Sequence, residues 1–150
     1  KLMRLLPKVL MSFSALALLP SAAAAQEARP FATIFKNPQC GCCESYGDYL
    51  EASGYEVKMV ATHDLALIKE RQGVPAGLEG CHTMLIGGYF VDGHVPTDSV
   101  DRLLEERPRI SGITLPGMPA GSPGMGGAKT GTWTITGVRT DRTTSVFARY

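Results

Sequence analysis

Cysteine is scarce and late in this chain: among 150 residues there are four, and none precedes Cys40. A lipid-modified cysteine near the start is thereby excluded. Charge is sparse as well, at 19% of residues. Of the 15 Lys and Arg, three (Lys1, Arg4 and Lys8) fall in the first 25 residues, which hold no Asp or Glu, so residues 26–150 carry 12 basic against 14 acidic side chains, a net −2. Without an excess of positive charge such a body cannot neutralise phosphates broadly, which excludes general nucleic-acid binding. Collagen-like, coiled-coil and highly charged disordered chains are excluded by composition. No internal repeat is present, and the length suits one domain.

What is present begins with an address. Lys1, Arg4 and Lys8 form a basic head, Val9 to Leu19 an almost unbroken apolar run of 11 residues, and Pro20 with Ala22 to Ala25 a small-residue cleavage region. A spanning helix needs about 20 apolar residues, so the pattern is that of a secretory signal peptide over residues 1–25, cut between Ala25 and Gln26. The expected mature chain, residues 26–150, is a single soluble domain in the periplasm of a Gram-negative cell, or outside a different kind of cell. No membrane anchor is expected after cleavage.

Phe31 to Phe35 is β-prone and closed by Asn37-Pro38, predicting a first strand. Within Cys43 to Ser53, Tyr46, Tyr49 and Leu50 stand at i, i+3 and i+4, and Gly54 is placed to end a helix. Val57 to Ala61 predicts a second strand. Asp64 is placed to cap a short helix, with Leu65 and Ile68 on one face, that stops at Gly73-Val74-Pro75. Thr83 to Ile86 and Tyr89 to Val91 are joined by Gly87-Gly88, a hairpin signal because both glycines accept positive φ. Val100, Leu103 and Leu104 then repeat at helical spacing until Arg107-Pro108. The predicted order is β-α-β-α-β-β-α, an α/β thioredoxin-like core over residues 31–108. Residues 109–131, rich in Gly and Pro and carrying Met118 and Met125, show no period and read as a loop. Thr132 to Val138 and Thr143 to Ala148 read as a terminal β-hairpin, too small to fold alone and docked on the body.

The chemistry concentrates in the cysteines. Three are crowded into Cys40-Gly41-Cys42-Cys43, where a bridge closes too small a loop to staple a fold. Adjacent Cα atoms lie about 3.8 Å apart, whereas disulfides span roughly 4.4–6.8 Å, so Cys42 and Cys43 are a poor pair. Cys40 and Cys43, in the C-x-x-C relation, form a comfortable one. The segment opens the first helix, where unpaired N–H groups and the macrodipole favour thiolates. Cys81 immediately precedes the third strand, which in a thioredoxin-like sheet lies beside the C-x-x-C loop, so one pocket can collect all four sulfurs.

Thiolate is a soft donor that selects Cu(I), Zn(II) or iron–sulfur centres. Three neighbouring sulfurs converge poorly on one tetrahedral Zn(II) at about 2.3 Å, and bridging several Cu(I) ions avoids that strain. Four thiolates with four Cu(I) are neutral, whereas with one Cu(I) they keep three negative charges and a far larger desolvation cost. The predicted metal set is therefore Cys40, Cys42, Cys43 and Cys81 around copper, as several Cu(I) ions. His82, beside Cys81, either ligates or tunes the thiolates, with a hydrogen-bonded core histidine as the equal alternative. Met118 and Met125 offer thioethers as a lid over Cu(I) or simply fill gaps. His63 and His94 are not tied by sequence to the cysteines and are assigned structural roles. Met59 and Met84 are assigned to the core.

Cys40-Gly41-Cys42-Cys43, Leu78-Glu79-Gly80-Cys81-His82-Thr83, Gly87-Gly88-Tyr89 with Gly93-His94-Val95-Pro96, and the run from Pro116-Gly117-Met118 to Met125 together resemble the periplasmic CopG-type copper-resistance proteins. These are distinct from the plasmid repressor of the same name. The resemblance spans about residues 31–150. It implies a thioredoxin-like fold, copper bound through Cys40, Cys42, Cys43 and Cys81, and a place among the copper-handling and efflux proteins of the envelope. Ordinary thioredoxins have Trp before the first cysteine, Gly-Pro between the two, and a cis-proline before the third strand. Here Gln39, Gly41-Cys42 and Cys81-His82 stand at those points, so a ligand replaces the residue that docks substrate. The expected function is periplasmic Cu(I) binding in copper resistance, by sequestration, transfer or redox interconversion. The alternatives are a thiol-disulfide oxidoreductase using Cys40 and Cys43, and a zinc-stabilised interaction module.

Overall fold

The computed structural model describes residues 29–150, so the expected signal peptide over 1–25 lies outside the described residues. Strand β1 (Ala32–Lys36) alternates buried and half-buried positions, with Ala32 and Ile34 turned inward. Helix α1 (Gly41–Ala52) buries Cys43, Tyr46, Gly47 and Leu50, the stripe that a 3.6-residue period creates. It starts at Gly41 rather than at Cys43, because the first turn holds no apolar partner that would reveal the period. Strand β2 (Val57–Ala61) returns parallel to β1 through that helix.

Helix α2 (Leu65–Gln72) ends at Gly73, whose φ is 81°. Asp64 occupies its N-cap but makes no capping bond, contrary to the expectation. Its φ of −96° and ψ of 22° are not the extended geometry from which a carboxylate reaches the free N–H groups. Strands β3 (His82–Ile86) and β4 (Tyr89–Asp92) form the expected hairpin, with Gly87 and Gly88 at φ 56° and 89°, as a type I′ turn requires. Helix α3 (Thr97–Glu106) buries Val100 and Leu103 and ends at Arg107, just before Pro108.

Through α3 the observed order is the predicted one. Beyond it, residues 109–131 are not loop alone. Strand β5 (Gly112–Thr114) pairs parallel with β4 and makes α3 a second crossover. Three residues are too few to display a period. Gly112 is there for closeness: a Cβ would stand 2.2 Å from the Phe90 carbonyl oxygen. Strand β6 (Thr134–Val138) pairs with β5, and β7 (Thr144–Arg149) with β6. The terminal hairpin is thus joined into one sheet ordered β2-β1-β3-β4-β5-β6-β7.

The main core gathers Ile34, Tyr46, Leu50, Met84, Val100 and Leu103, with half-buried Met59 packed against it. A smaller cluster holds Val74, Phe90 and Val138, and α2 packs against β3 and β1. Among the described residues no helix is long and apolar enough to cross a membrane.

Candidate metal centre

The chain turns from β1 into α1 through Asn37 to Cys40. Buried Lys36 donates to the carbonyls of Asn37 and Pro38 at 3.3 Å each and pairs with Glu44 at 2.7 Å, tying the loop to the first turn of α1. Cys40 is the N-cap, and Cys42 and Cys43 lie in that first turn. Cys40 and Cys43, close to one helical turn apart, form a disulfide. Cys42 and Cys81 are free, half-buried thiols. The Cys42 sulfur lies 3.5 Å from that of Cys40 and 3.8 Å from that of Cys81, and the Cys43 and Cys81 sulfurs are 3.5 Å apart. All four fall within 4.8 Å of one another.

Histidines reach Cys81 from its other side. The β3–β4 register pairs Ile86 with Tyr89 and Thr83 with Asp92. Two more steps outward bring Cys81 opposite His94. His94 Nε2 stands 2.9 Å from the Cys81 sulfur, while its Nδ1 donates to the Pro123 carbonyl at 2.5 Å. That donation assigns the tautomer and leaves the Nε2 lone pair facing the thiol. His82 Nδ1 is 3.4 Å from the same sulfur, and its buried Nε2 has no hydrogen-bond partner among the described residues. The donor atoms of Cys81, His82 and His94 also lie within 4.8 Å of one another. The Tyr46 ring packs on both imidazoles, at 4.5 Å from His82 and 5.3 Å from His94, and its hydroxyl donates to the Val95 carbonyl at 2.8 Å.

The purely structural role assigned to His94 is therefore corrected: it touches the cysteine cluster. The hairpin register was the signal that places it there, because a two-residue turn dictates which residues face each other. His63 also stands near the cluster, lining with Asn37, Pro38, Gln39 and Cys40 an open cleft of about 400 Å³. Met118 is 55% exposed and Met125 is half-buried. Their loop crosses the first turns of α1 so closely that a Cβ on Gly124 would stand 2.6 Å from the Tyr46 backbone nitrogen.

Burial, with Cys42 alongside, pushes the Cys81 thiol up to about 12. Burial also holds His82 well below the ordinary histidine value and lowers His94. At neutral pH Cys81 is therefore a thiol and both imidazoles are neutral, the state in which a ring nitrogen can bind metal. With the disulfide closed, Cys42 and Cys81 alone of the four can act as thiolate ligands. Thiol-disulfide exchange with an external dithiol, which leaves as a disulfide having given up two electrons and two protons, converts Cys40–Cys43 to two thiols and completes a soft four-sulfur set of the kind that selects Cu(I), Zn(II) or iron–sulfur.

A family model described as a protein of unknown function, DUF411, matches residues 78–125. No curated protein matches the chain. Two solved structures do, named copper resistance protein copG, form 2 and form 1; they are 36% and 37% identical, align over 81% of this chain and 98% of theirs, and give TM-scores of 0.77 and 0.75. The chain belongs to the CopG-type copper-resistance family. Among the described residues the mixed α/β architecture comprises a seven-stranded sheet and three helices, and it matches the fold of the CopG structures. CopG kinship and a cysteine cluster with metal-holding geometry together give the chain a copper-related function.

Proposed function

We propose that this protein binds copper as several Cu(I) ions bridged by the thiolates of Cys40, Cys42, Cys43 and Cys81, in the periplasm, as part of copper resistance. The proposal rests on the convergence of four sulfurs within 4.8 Å. Charge favours several ions over one. The buried lysines on this side of the fold, Lys36 and Lys69, are already paired with Glu44 and Asp92. Four thiolates around one cation would keep uncompensated charge in a half-buried site, and each added Cu(I) removes one unit of it. His82 and His94 are the nitrogen donors beside the set, and Met118 and Met125 are its thioether cover. The β1-α1-β2 crossover followed by the β3–β4 hairpin and α3 supports reading residues 31–108 as thioredoxin-like. Copper is exchanged with other copper-handling or efflux proteins of the envelope.

Titrating fully reduced protein anaerobically with Cu(I) against a chelating competitor is expected to leave more than one copper on each chain. Cys81→Ser lowers that number, and protein carrying the Cys40–Cys43 disulfide retains fewer ions than reduced protein. One zinc and no copper retained would overturn the proposal. The disulfide and the open cleft beside Cys40 favour a second reading, thiol-disulfide exchange. Insulin reduction that depends on Cys40 and Cys43, with copper uptake intact in Cys81→Ser, would select it.

A further inference from the structure

Behind Cys81 lies a buried ion pair that the copper site does not use. Asp92, the last residue of β4, is fully buried, and Lys69 of α2 is 8% exposed. Lys69 Nζ donates to Asp92 Oδ2 at 2.5 Å, to the His82 carbonyl at 3.2 Å and to the Thr83 hydroxyl oxygen at 3.1 Å, which occupies all three of its protons. The Thr83 hydroxyl donates to Asp92 Oδ2, and the Gly80 N–H to Asp92 Oδ1, each at 2.6 Å. Residues 80, 82 and 83 are thus bonded to the pair, and Cys81 is the residue between them.

The same carboxylate governs the approach of His94. Gly80 lies against Gly93 so closely that a Cβ on it would stand 2.3 Å from the Gly93 Cα. The Gly93 N–H donates to the His82 carbonyl at 3.0 Å, and His94 follows at once. One clasp therefore joins the entry of β3, which carries Cys81, to the exit of β4, which carries His94.

Stability alone is a poor reason for such a pair, since an apolar replacement of similar volume is often neutral or better. Here the hydrogen bonds left over from the pair go to groups immediately flanking a single cysteine. We infer that Lys69 and Asp92 are positioning residues for the copper centre, holding the chain on both sides of Cys81 so that its sulfur faces Cys42, Cys43 and His94 together. The inference rests on the proposed copper site and gives neither residue a ligand role. The clasp closes on backbone and hydroxyl groups, so it aims Cys81 before any metal arrives.

Asp92→Asn keeps the shape and an acceptor for Gly80 while removing the charge that Lys69 and Thr83 bind. Thr83→Val removes one hydroxyl and spares the ion pair. In competition titrations of reduced protein shown by circular dichroism to be folded, Asp92→Asn is expected to hold Cu(I) about 10–100-fold less tightly, the usual effect of losing a partner that orients a ligand. Thr83→Val loses less. Both shift the ultraviolet sulfur-to-copper absorption at equal copper load. Val100→Ala, a cavity in the core at α3, serves as the stability control and leaves affinity and absorption unchanged. Parent-like copper binding in both Asp92→Asn and Thr83→Val would overturn the inference and leave the copper site standing, as would an equal loss in Val100→Ala. Failure of the parent to hold Cu(I) would overturn the site and the inference with it.

Discussion

Cys81 has neighbours of two kinds: the sulfurs of Cys42 and Cys43 on one side and the imidazoles of His82 and His94 on the other. Burial beside a second thiol costs the thiolate more than the backbone hydrogen bond and the charge of Lys69 offset, so the proton stays on and the group is held up at about 12. Reactivity follows the thiolate fraction, which falls tenfold for each unit of pKa. At pH 8, Cys81 is expected to be alkylated by iodoacetamide at least about 100-fold more slowly than an exposed model thiol. Timed labelling followed by peptide mass spectrometry measures this. Labelling at the rate of a free thiol would mean that the sulfur is neither buried nor paired as described.

At the scale of the elements, the β3–β4 hairpin decides what meets Cys81. Its turn needs two consecutive residues at positive φ, and Gly88 stands at 89° with open space where a Cβ would go. Gly88→Ala therefore brings backbone strain without collision, and is expected to cost about 1–2 kcal/mol in urea denaturation. Gly80→Ala is a different lesion, because its Cβ meets the backbone of Gly93 at 2.3 Å. It forces apart the segments bearing Cys81 and His94, and is expected to reduce bound Cu(I) as well as stability. Copper retention equal to the parent in a folded Gly80→Ala protein would show that this close approach does not set the site.

For the molecule as a whole, the two buried imidazoles set a limit on the acid side. Their folded values are lowered by burial, so below the ordinary histidine value of about 6.5 the unfolded chain binds protons that the native state refuses. The stability they permit is fully present above that value and is lost as pH falls below it. Urea midpoints of the metal-free protein are expected to decline from pH 7 to pH 5, and His94→Gln to flatten the decline. A profile level through that range would contradict the burial assigned to these rings.

Much of this was legible along the chain, because the relevant signals are written over three or four neighbours. Tyr46 and Leu50 announced α1, Gly87-Gly88 the hairpin, Arg107-Pro108 the end of α3, and the crowded cysteines a cluster with the spacing to hold a metal ion. Other features depend on residues far apart in sequence. β5 is a strand only because β4 and β6 offer it hydrogen bonds on both edges. His94 joins the site because the hairpin register carries it opposite Cys81, and Lys69 meets Asp92 across 23 residues in a place that water does not reach. Spacing states which chemistry a set of side chains can perform; which of them are pressed together, and which are stripped of water, is settled by the packing of one strand against the next.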